Sequence, residues 1–514
     1  MTSDTNLSQE NGNIVFMNQG TLLAAVDLGS NSFRLEIGRH DHGQIQRVDY
    51  LKETVRLGSG LDGERHLTDD AIQRGLDCLA RFRERLAGFR KEQVRVVATQ
   101  TLREAKNRDA FIRQGSEVLG FTIEVIAGTE EARLIYQGVS NLLPQSPERR
   151  LVIDIGGRST ELILGRGTQA HETQSFRLGS VSWSMKYFPD GRFTEQTLER
   201  ADIAAQAVLE EALSLYPRHL WDVAYGSSGT VGAVADVLSM SGWPSGVVTL
   251  EGLRWLRKCL LRAGHAQHLN LQGLKEDRRP VIGGGVSVLH ALMTLLQIDQ
   301  LQVAQGALRH GVLFEMLERS DQEHDTRDIS VTRLAKKFGV DTAQVERVKE
   351  TAGYFFKQLR DQSAPQSALL QRELDWACEL HEIGFTISHS DYHKHGAYIL
   401  DNADMLGFSM PELHRLGLVI LGHKGKLRKL EQELEEVELA QILMALRLAV
   451  ILCHARRPPD CQALQLKCQQ NKRIFTLRAP QSWTTEHPQS THLLRLEMTA
   501  WDRSTWRMNF VTES

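Results

Sequence analysis

Several absences narrow what this chain can do before any motif is read. It has no excess of charge of either sign: the formal net charge is −3, with 24% of its 514 residues charged. Bulk attraction to nucleic acid is not indicated, nor is peripheral contact with an anionic membrane, so any polyanion must be met by a local patch. Paired cysteines are missing too. Cys78, Cys259, Cys378, Cys453, Cys461 and Cys468 show no Cys-x-x-Cys pair and no zinc-ligand spacing. They read as core thiols in a reducing compartment. No run is long and apolar enough to cross a bilayer, because Leu439 to Cys453 is interrupted by Gln441 and Arg447. Residues 1–20 are polar, lack the basic start and apolar centre of a secretory signal, and read as a disordered tail. These absences predict a cytoplasmic protein.

Two short stretches carry most of the positive information: Val26-Asp27-Leu28-Gly29-Ser30-Asn31-Ser32 and Ile153-Asp154-Ile155-Gly156-Gly157-Arg158-Ser159-Thr160-Glu161. Each follows an apolar run that reads as a buried strand, Leu22 to Val26 and Leu151 to Ile155. A strand that ends in Asp and then turns through glycine and hydroxyl residues exposes backbone N–H groups around an anion-sized hollow. The aspartate at its mouth suits a divalent cation, usually through water. One such loop is also an ordinary tight turn. Two, a domain apart, predict phosphate-gripping hairpins facing each other across a cleft.

Strand and helix patterns alternate from Leu22 to about Gln137: a helix over Ala71–Phe89, strands at Val94–Ala98 and Thr122–Ile126, and a helix opening at Gly128 with Thr129 as its cap. A second unit with a related opening loop runs from Leu151 to about Leu317, which suggests an internal duplication with the cleft between its halves. From about Ile329 the pattern becomes mainly helical, with a mixed end after about Pro459. The expected domains are thus 21–137 and 138–320, a helical domain over 321–458, and a small α+β domain over 459–514.

Asp27, Asp154 and Glu161 are the natural metal candidates, since phosphate hydrolysis calls for a hard cation with oxygen ligands. Glu130 and Glu131 suit a helix start whatever their role, yet a carboxylate between two phosphate hairpins can deprotonate a water for in-line attack. Arg103, after a strand, can neutralise phosphate charge, and Gly226 to Thr230, which includes Gly229, resembles another anion-cradling helix entry. Gly283 to Gly285 reads as a site of close backbone approach or a flexible loop. His381, His389, His393, His395, His414 and His423 cluster without a clean set of carboxylate partners. Lys424, Lys426, Arg428 and Lys429 precede a glutamate run; this reads as a self-pairing helix face, or as a landing strip for a polyphosphate.

Together these motifs resemble the exopolyphosphatase / guanosine pentaphosphate phosphohydrolase family. The resemblance runs from Leu23 into the last hundred residues and also rests on Thr101-Leu102-Arg103, Gly128-Thr129-Glu130-Glu131-Ala132-Arg133 and Gly306-Ala307-Leu308-Arg309-His310-Gly311. It implies an α/β fold of duplicated actin-like (sugar kinase–Hsp70–actin) domains, then a helical domain similar to HD-type phosphohydrolases, with His381-Glu382 where those have His-Asp. It also implies Glu131 as catalytic base with Arg103 beside it, Asp27, Asp154 and Glu161 around Mg²⁺, a possible accessory K⁺, and a homodimer. Phosphate contacts fall on Ser30, Asn31, Ser32, Gly156, Gly157, Ser159, Gly229 and Arg309. The implied reaction releases orthophosphate from the end of an inorganic polyphosphate, with guanosine pentaphosphate as the alternative substrate. A non-catalytic sensor and an ATP-using relative with its nucleoside near Gly283–Gly285 are the competing readings. One departure stands out: Arg158 occupies a position where the family usually has Gly or Ala, and there it is expected to place a guanidinium beside the substrate's phosphates.

Overall fold

The computed structural model describes residues 20–41, 44–144, 146–320, 326–360, 367–403, 405, 407–408 and 410–513. The tail expected over residues 1–20 lies outside them except for Gly20. The chain forms two compact units, one reaching to Ser320 in the described residues and one from Thr326 onward.

In the first unit, two sheets repeat one plan. The strands β1 (Leu22–Leu28), β2 (Phe33–Asp41), β3 (Gln44–Glu53), β4 (Val94–Ala98) and β5 (Ile123–Val125) lie in the order β3-β2-β1-β4-β5. The second sheet uses β6 (Arg149–Ile155), β7 (Thr160–Arg166), β8 (Gln169–Phe176), β9 (Val223–Ser227), β10 (Val247–Thr249) and β11 (Gln300–Val303), in the order β10-β11-β9-β6-β7-β8. In each, an antiparallel meander of three strands is followed by parallel neighbours of its first strand. The central strands are unbroken apolar runs, as burial on both faces demands: Leu23 to Val26, and Leu151 to Ile153.

The boundary expected at 137/138 runs through a helix, Gly128–Ser140. Helix Leu308–Ser320, expected in the second half, packs on it, and its Val312 and Leu313 share a core with Leu23 and Ala25 of β1. Glycines set this approach. A Cβ on Gly311 would stand 1.8 Å from the Leu134 carbonyl oxygen, and one on Gly138 would stand 2.3 Å from that of Ala307. Gly283 to Gly285 lie in helix Ile282–Leu295 and serve packing too, with a Cβ on Gly284 falling 2.5 Å from Ser180 O. The triplet is helix–helix contact rather than a nucleoside loop. Gly128–Ser140 carries no side-chain cap; its N-cap residue is Ala127, not Thr129.

The second unit packs helices Thr342–Leu359, Ser367–Leu380, Tyr392–Asn402, Met410–Gly422 and Val437–Leu452 with a sheet of β12 (Gln465–Gln469), β13 (Ile474–Pro480) and β14 (Arg507–Glu513) in that order. No break falls at 458/459: Phe475, Trp501 and Trp506 share one core with Phe355, Phe356 and Leu443. The stretch Val437–Ala455 is by length and composition apolar enough to cross a membrane, yet it is mostly buried within this unit. Its Arg447 donates to Glu497 at 2.7 Å and to the Gly425 carbonyl at 3.1 Å. The basic run does not form a helix face with the glutamates after it. Leu427–Leu430 and Glu433–Glu435 are short 3₁₀ turns, and Glu435, Glu436 and Glu438 pair with Arg473, Arg415 and Arg360.

Candidate active site

The two hairpins expected to grip phosphate are β1–β2 and β6–β7, and they face one cavity of about 470 Å³. Their registers match. Asp27 lies opposite Arg34, and Asp154 lies opposite Glu161, each across seven residues of chain. Residues opposite one another on antiparallel strands share a face, so their side chains interact directly.

In the first hairpin the aspartate is neutralised, because Arg34 Nη1 donates to Asp27 Oδ2 at 3.0 Å. In the second, carboxylate faces carboxylate. Burial pushes Asp154 up to about 6, held back by a hydrogen bond from Ser227 and by Arg34, with Asp27 adding to the rise. Glu161 is raised well above the usual carboxylate range, first by burial and then by Glu131 and Asp154. Its Oε1 accepts a hydrogen bond from Ser175 Oγ at 2.7 Å.

Glu131 is the fourth residue of helix Gly128–Ser140 and is 7% exposed, at the cavity wall. Burial holds it up at about 7 against the pull of Arg103, with Asp27 and Asp154 pushing further. Arg103 Nη1 stands 2.8 Å from Glu131 Oε2, an ion pair that favours the ionised carboxylate. The guanidinium is also held by Ile126 O, from Nη1 at 2.9 Å, and by Gln100 Oε1, from Nε and Nη2 at 3.0 and 2.8 Å. A desolvated carboxyl with a pKa near neutrality is suited to take a proton from water. Its neighbour Glu130 has another task, since Arg133 donates to both its oxygens at 2.8 Å.

Of the other expected contacts, Ser30, Asn31, Ser32, Gly156, Gly157, Ser159, Gly229 and Arg309 all line the cavity. Arg309 is braced by an ion pair with Glu36 and lies 5.0 Å from the centre of the Tyr50 ring. Glu36 is lowered to about 2; burial works against this, but His310 and Arg309 outweigh it. Arg158 is the exception. Its Nε and Nη2 donate to Glu104 Oε2 at 3.1 and 2.8 Å, and its Nη1 donates to Gly58 O at 2.9 Å. The expectation that it reaches the phosphates is corrected: its guanidinium is bound on all three nitrogens by the first-half residues that pack over it.

The structure adds a cationic rim that sequence reading missed: Arg34, Lys52, Lys275 and Arg278. Burial and the nearby Arg278 push the Lys52 ammonium down, and burial does the same to Arg278 against the pull of Asp277. Arg34 was discoverable, since aligning the two loops sets it opposite Asp27 as Glu161 is set opposite Asp154. Lys52 and Arg278 come from segments with no motif. At the helix entry Ser227–Thr230, Ser228 has φ +96°, and its Oγ accepts from Thr230 N at 3.2 Å.

No three His, Cys, Asp or Glu side chains among the described residues stand close enough to enclose an ion by themselves. This includes the histidines of the second unit, of which His381 and His423 donate Nδ1–H to Cys378 O and Ile420 O, both at 2.6 Å. The second hairpin nevertheless fits a hard cation that keeps water and phosphate oxygens as ligands, because it sets the buried Asp154 and Glu161 carboxyls opposite one another. Asp27 is less available, being held by Arg34.

The Ppx/GppA phosphatase family model matches residues 36–320, and that family's domain III matches residues 326–498. The chain belongs to the Ppx/GppA phosphatase family. It is 37% identical over 481 residues, 93% of its own length and 95% of the relative's, to a guanosine-5'-triphosphate,3'-diphosphate pyrophosphatase of Vibrio cholerae serotype O1. Among solved structures, an exopolyphosphatase-like protein aligns at TM-score 0.53 and 25% identity, covering 58% of this chain and 98% of its own. An exopolyphosphatase from Cytophaga hutchinsonii aligns at TM-score 0.51 and 25% identity, with the same coverage. Members of this family are phosphoanhydride hydrolases, and their actin-like fold is that of the first unit.

Proposed function

We propose that this phosphatase hydrolyses the terminal 5'-phosphoanhydride of guanosine 5'-triphosphate 3'-diphosphate, releasing orthophosphate and leaving the 5'-diphosphate. Inorganic polyphosphate, the substrate favoured from sequence, becomes the secondary one. The observation that carries the reaction is Glu131: a buried carboxyl held near neutrality and paired with Arg103, at the wall of a cavity lined by two phosphate hairpins. Glu131 takes a proton from water as the water oxygen bonds to the terminal phosphorus. The bond from that phosphorus to the bridging oxygen breaks, the bridging oxygen keeps the electron pair as part of the departing 5'-diphosphate, and the attacked phosphorus leaves as orthophosphate. Asp154 and Glu161 would hold Mg²⁺, which when bound offsets negative charge on the phosphates.

The substrate choice is supported by the near-full-length similarity to the Vibrio pyrophosphatase. The rim of Arg34, Lys52, Lys275 and Arg278 suits a ligand with a second phosphate group beside the reacting chain. Polyphosphate is kept as second substrate by the solved relative named an exopolyphosphatase.

The test is orthophosphate release with Mg²⁺ from each substrate, beside Glu131→Gln. The expected result is a higher kcat/KM for the guanosine substrate and a loss of roughly 10²–10⁴-fold in kcat in the variant. A preference for long polyphosphate would reverse the substrate order. Undiminished release by Glu131→Gln would remove the base.

A further inference from the structure

We infer that Arg158 is a positioning residue, reaching from the second hairpin through Glu104 and Gln100 to set how Arg103 meets the base Glu131. The inference rests on the proposed hydrolysis and adds residues that lie outside the phosphate contacts.

The chain of contacts is continuous. Arg158 binds Glu104 Oε2 through two nitrogens. The other oxygen, Glu104 Oε1, accepts from Gln100 Nε2 at 2.6 Å. Gln100 then turns its amide oxygen to Arg103, accepting from both Nε and Nη2. Each end of that amide therefore has one workable orientation: a flip would set its NH₂ against a guanidinium and its oxygen against a carboxylate. Gln100 is 5% exposed, so water does not readily substitute for either partner.

The consequence lies at Arg103. Held by Gln100 and by Ile126 O, it sets its Nη1 2.8 Å from Glu131 Oε2. Without Arg158, Glu104 loses its ion-pair partner, and the Glu104–Gln100–Arg103 chain loses its anchor on the second hairpin. Arg103 is then less firmly placed against Glu131, the group that takes the proton. All three Arg158 bonds run from the second hairpin to Gly58 and Glu104, which flank the first sheet, so they tie the two halves together. Gly58 is shaped for this, since a Cβ there would come within 2.9 Å of Arg158 Cδ.

The experiment is a double-mutant cycle of Arg158→Gly and Glu104→Gln on the full chain, with Mg²⁺ and guanosine 5'-triphosphate 3'-diphosphate. Gln100→Leu and the exchanged pair Arg158→Glu/Glu104→Arg are added. Each single change is expected to lower kcat about tenfold with KM changed less than about threefold, and the double change to be no worse than either single one. The exchanged pair should recover several-fold over Arg158→Glu alone, which loss of folding would not produce. A KM effect alone would overturn the inference in favour of a direct phosphate contact. Additive losses, or unchanged kinetics, would overturn it outright. If the parent chain releases no orthophosphate from either substrate, the proposed function fails. The Arg158–Glu104 link is then still read from the cycle in Tm, and additive Tm shifts would end it as well.

Discussion

The two hairpins share a loop plan and differ in one cross-strand pair. In the first, Asp27 faces Arg34; in the second, Asp154 faces Glu161. That difference sorts their tasks. The first is close to electroneutral at its strand ends and offers hydroxyls and N–H groups to phosphate. The second concentrates negative charge that burial makes costly, which is the electrostatic condition a divalent cation relieves. One hairpin plan, used twice, thus brings a neutralised aspartate, Asp27, and a charge-crowded one, Asp154, to the cavity that Glu131 also lines.

The comparison is broken most completely by giving the second hairpin the pairing of the first. Glu161→Arg should lower orthophosphate release by roughly 10³-fold or more, because the cation's several kcal/mol of charge stabilisation is lost. Initial rates over a Mg²⁺ titration, with Tm as control for folding, measure it. Activity within tenfold of the parent would show that Glu161 does not serve the cation.

Arg34→Gln removes the feature that makes the first hairpin neutral. Charge-assisted hydrogen bonds contribute about 1.5–3 kcal/mol, so KM for the guanosine substrate should rise roughly 10–100-fold, with a smaller change in kcat. A fall in kcat at constant KM would move Arg34 from binding to the chemistry.

Ser175→Ala is milder. Ser175 donates to Glu161 at 2.7 Å and fixes which oxygen is free for a cation. Outer partners of metal-binding carboxylates are typically worth 10–100-fold in metal affinity, and the low end is expected here. The concentration of Mg²⁺ giving half-maximal rate should rise about tenfold, with the saturated rate little changed.

The smallest effect is on stability. Glu131 is held at about 7 rather than 4.5, so between those values the folded chain keeps a proton that the unfolded chain has released. Stability from this group therefore falls as pH rises from about 4.5 to 7 and stays low above. Glu131→Gln removes the ionisation, and metal-free Glu131→Gln should melt a few degrees above the parent at pH 8 and level with it near pH 4.5. Equal melting at both pH values would mean that Glu131 is not strained as an anion.

Much of this site was legible. Asp27, Asp154, Gly156, Gly157 and Glu131 sit in local patterns whose chemistry follows from strand, turn and helix start, and each lines the cavity. The repeat of the opening loop announced the repeat of the sheets. Gly283 to Gly285 read as close backbone approach or a flexible loop; the structure has the close approach, within a helix, because sequence cannot say whether such glycines sit in a packed helix or a loop. The division at 458/459 failed because aromatic side chains such as Phe475 and Trp506 join the helical core, a long-range contact without a local signature. Arg158 was misplaced for the same reason: its partners Gly58 and Glu104 stand 100 and 54 residues away.

The sequence by itself determined the elements and the chemistry that lies within one turn: two Asp-tipped strands with phosphate-gripping loops, a glutamate pair at a helix start, and a duplicated α/β plan ahead of a helical region. Those features depend on hydrophobic period and backbone geometry, which are local. Only the tertiary structure decided which glutamate faces the cavity, which cations rim it, and that Arg158 secures Glu104. Charges and hydrogen bonds act over a few ångströms of space, and folding alone brings residues such as Arg158 and Glu131 within that range of their partners.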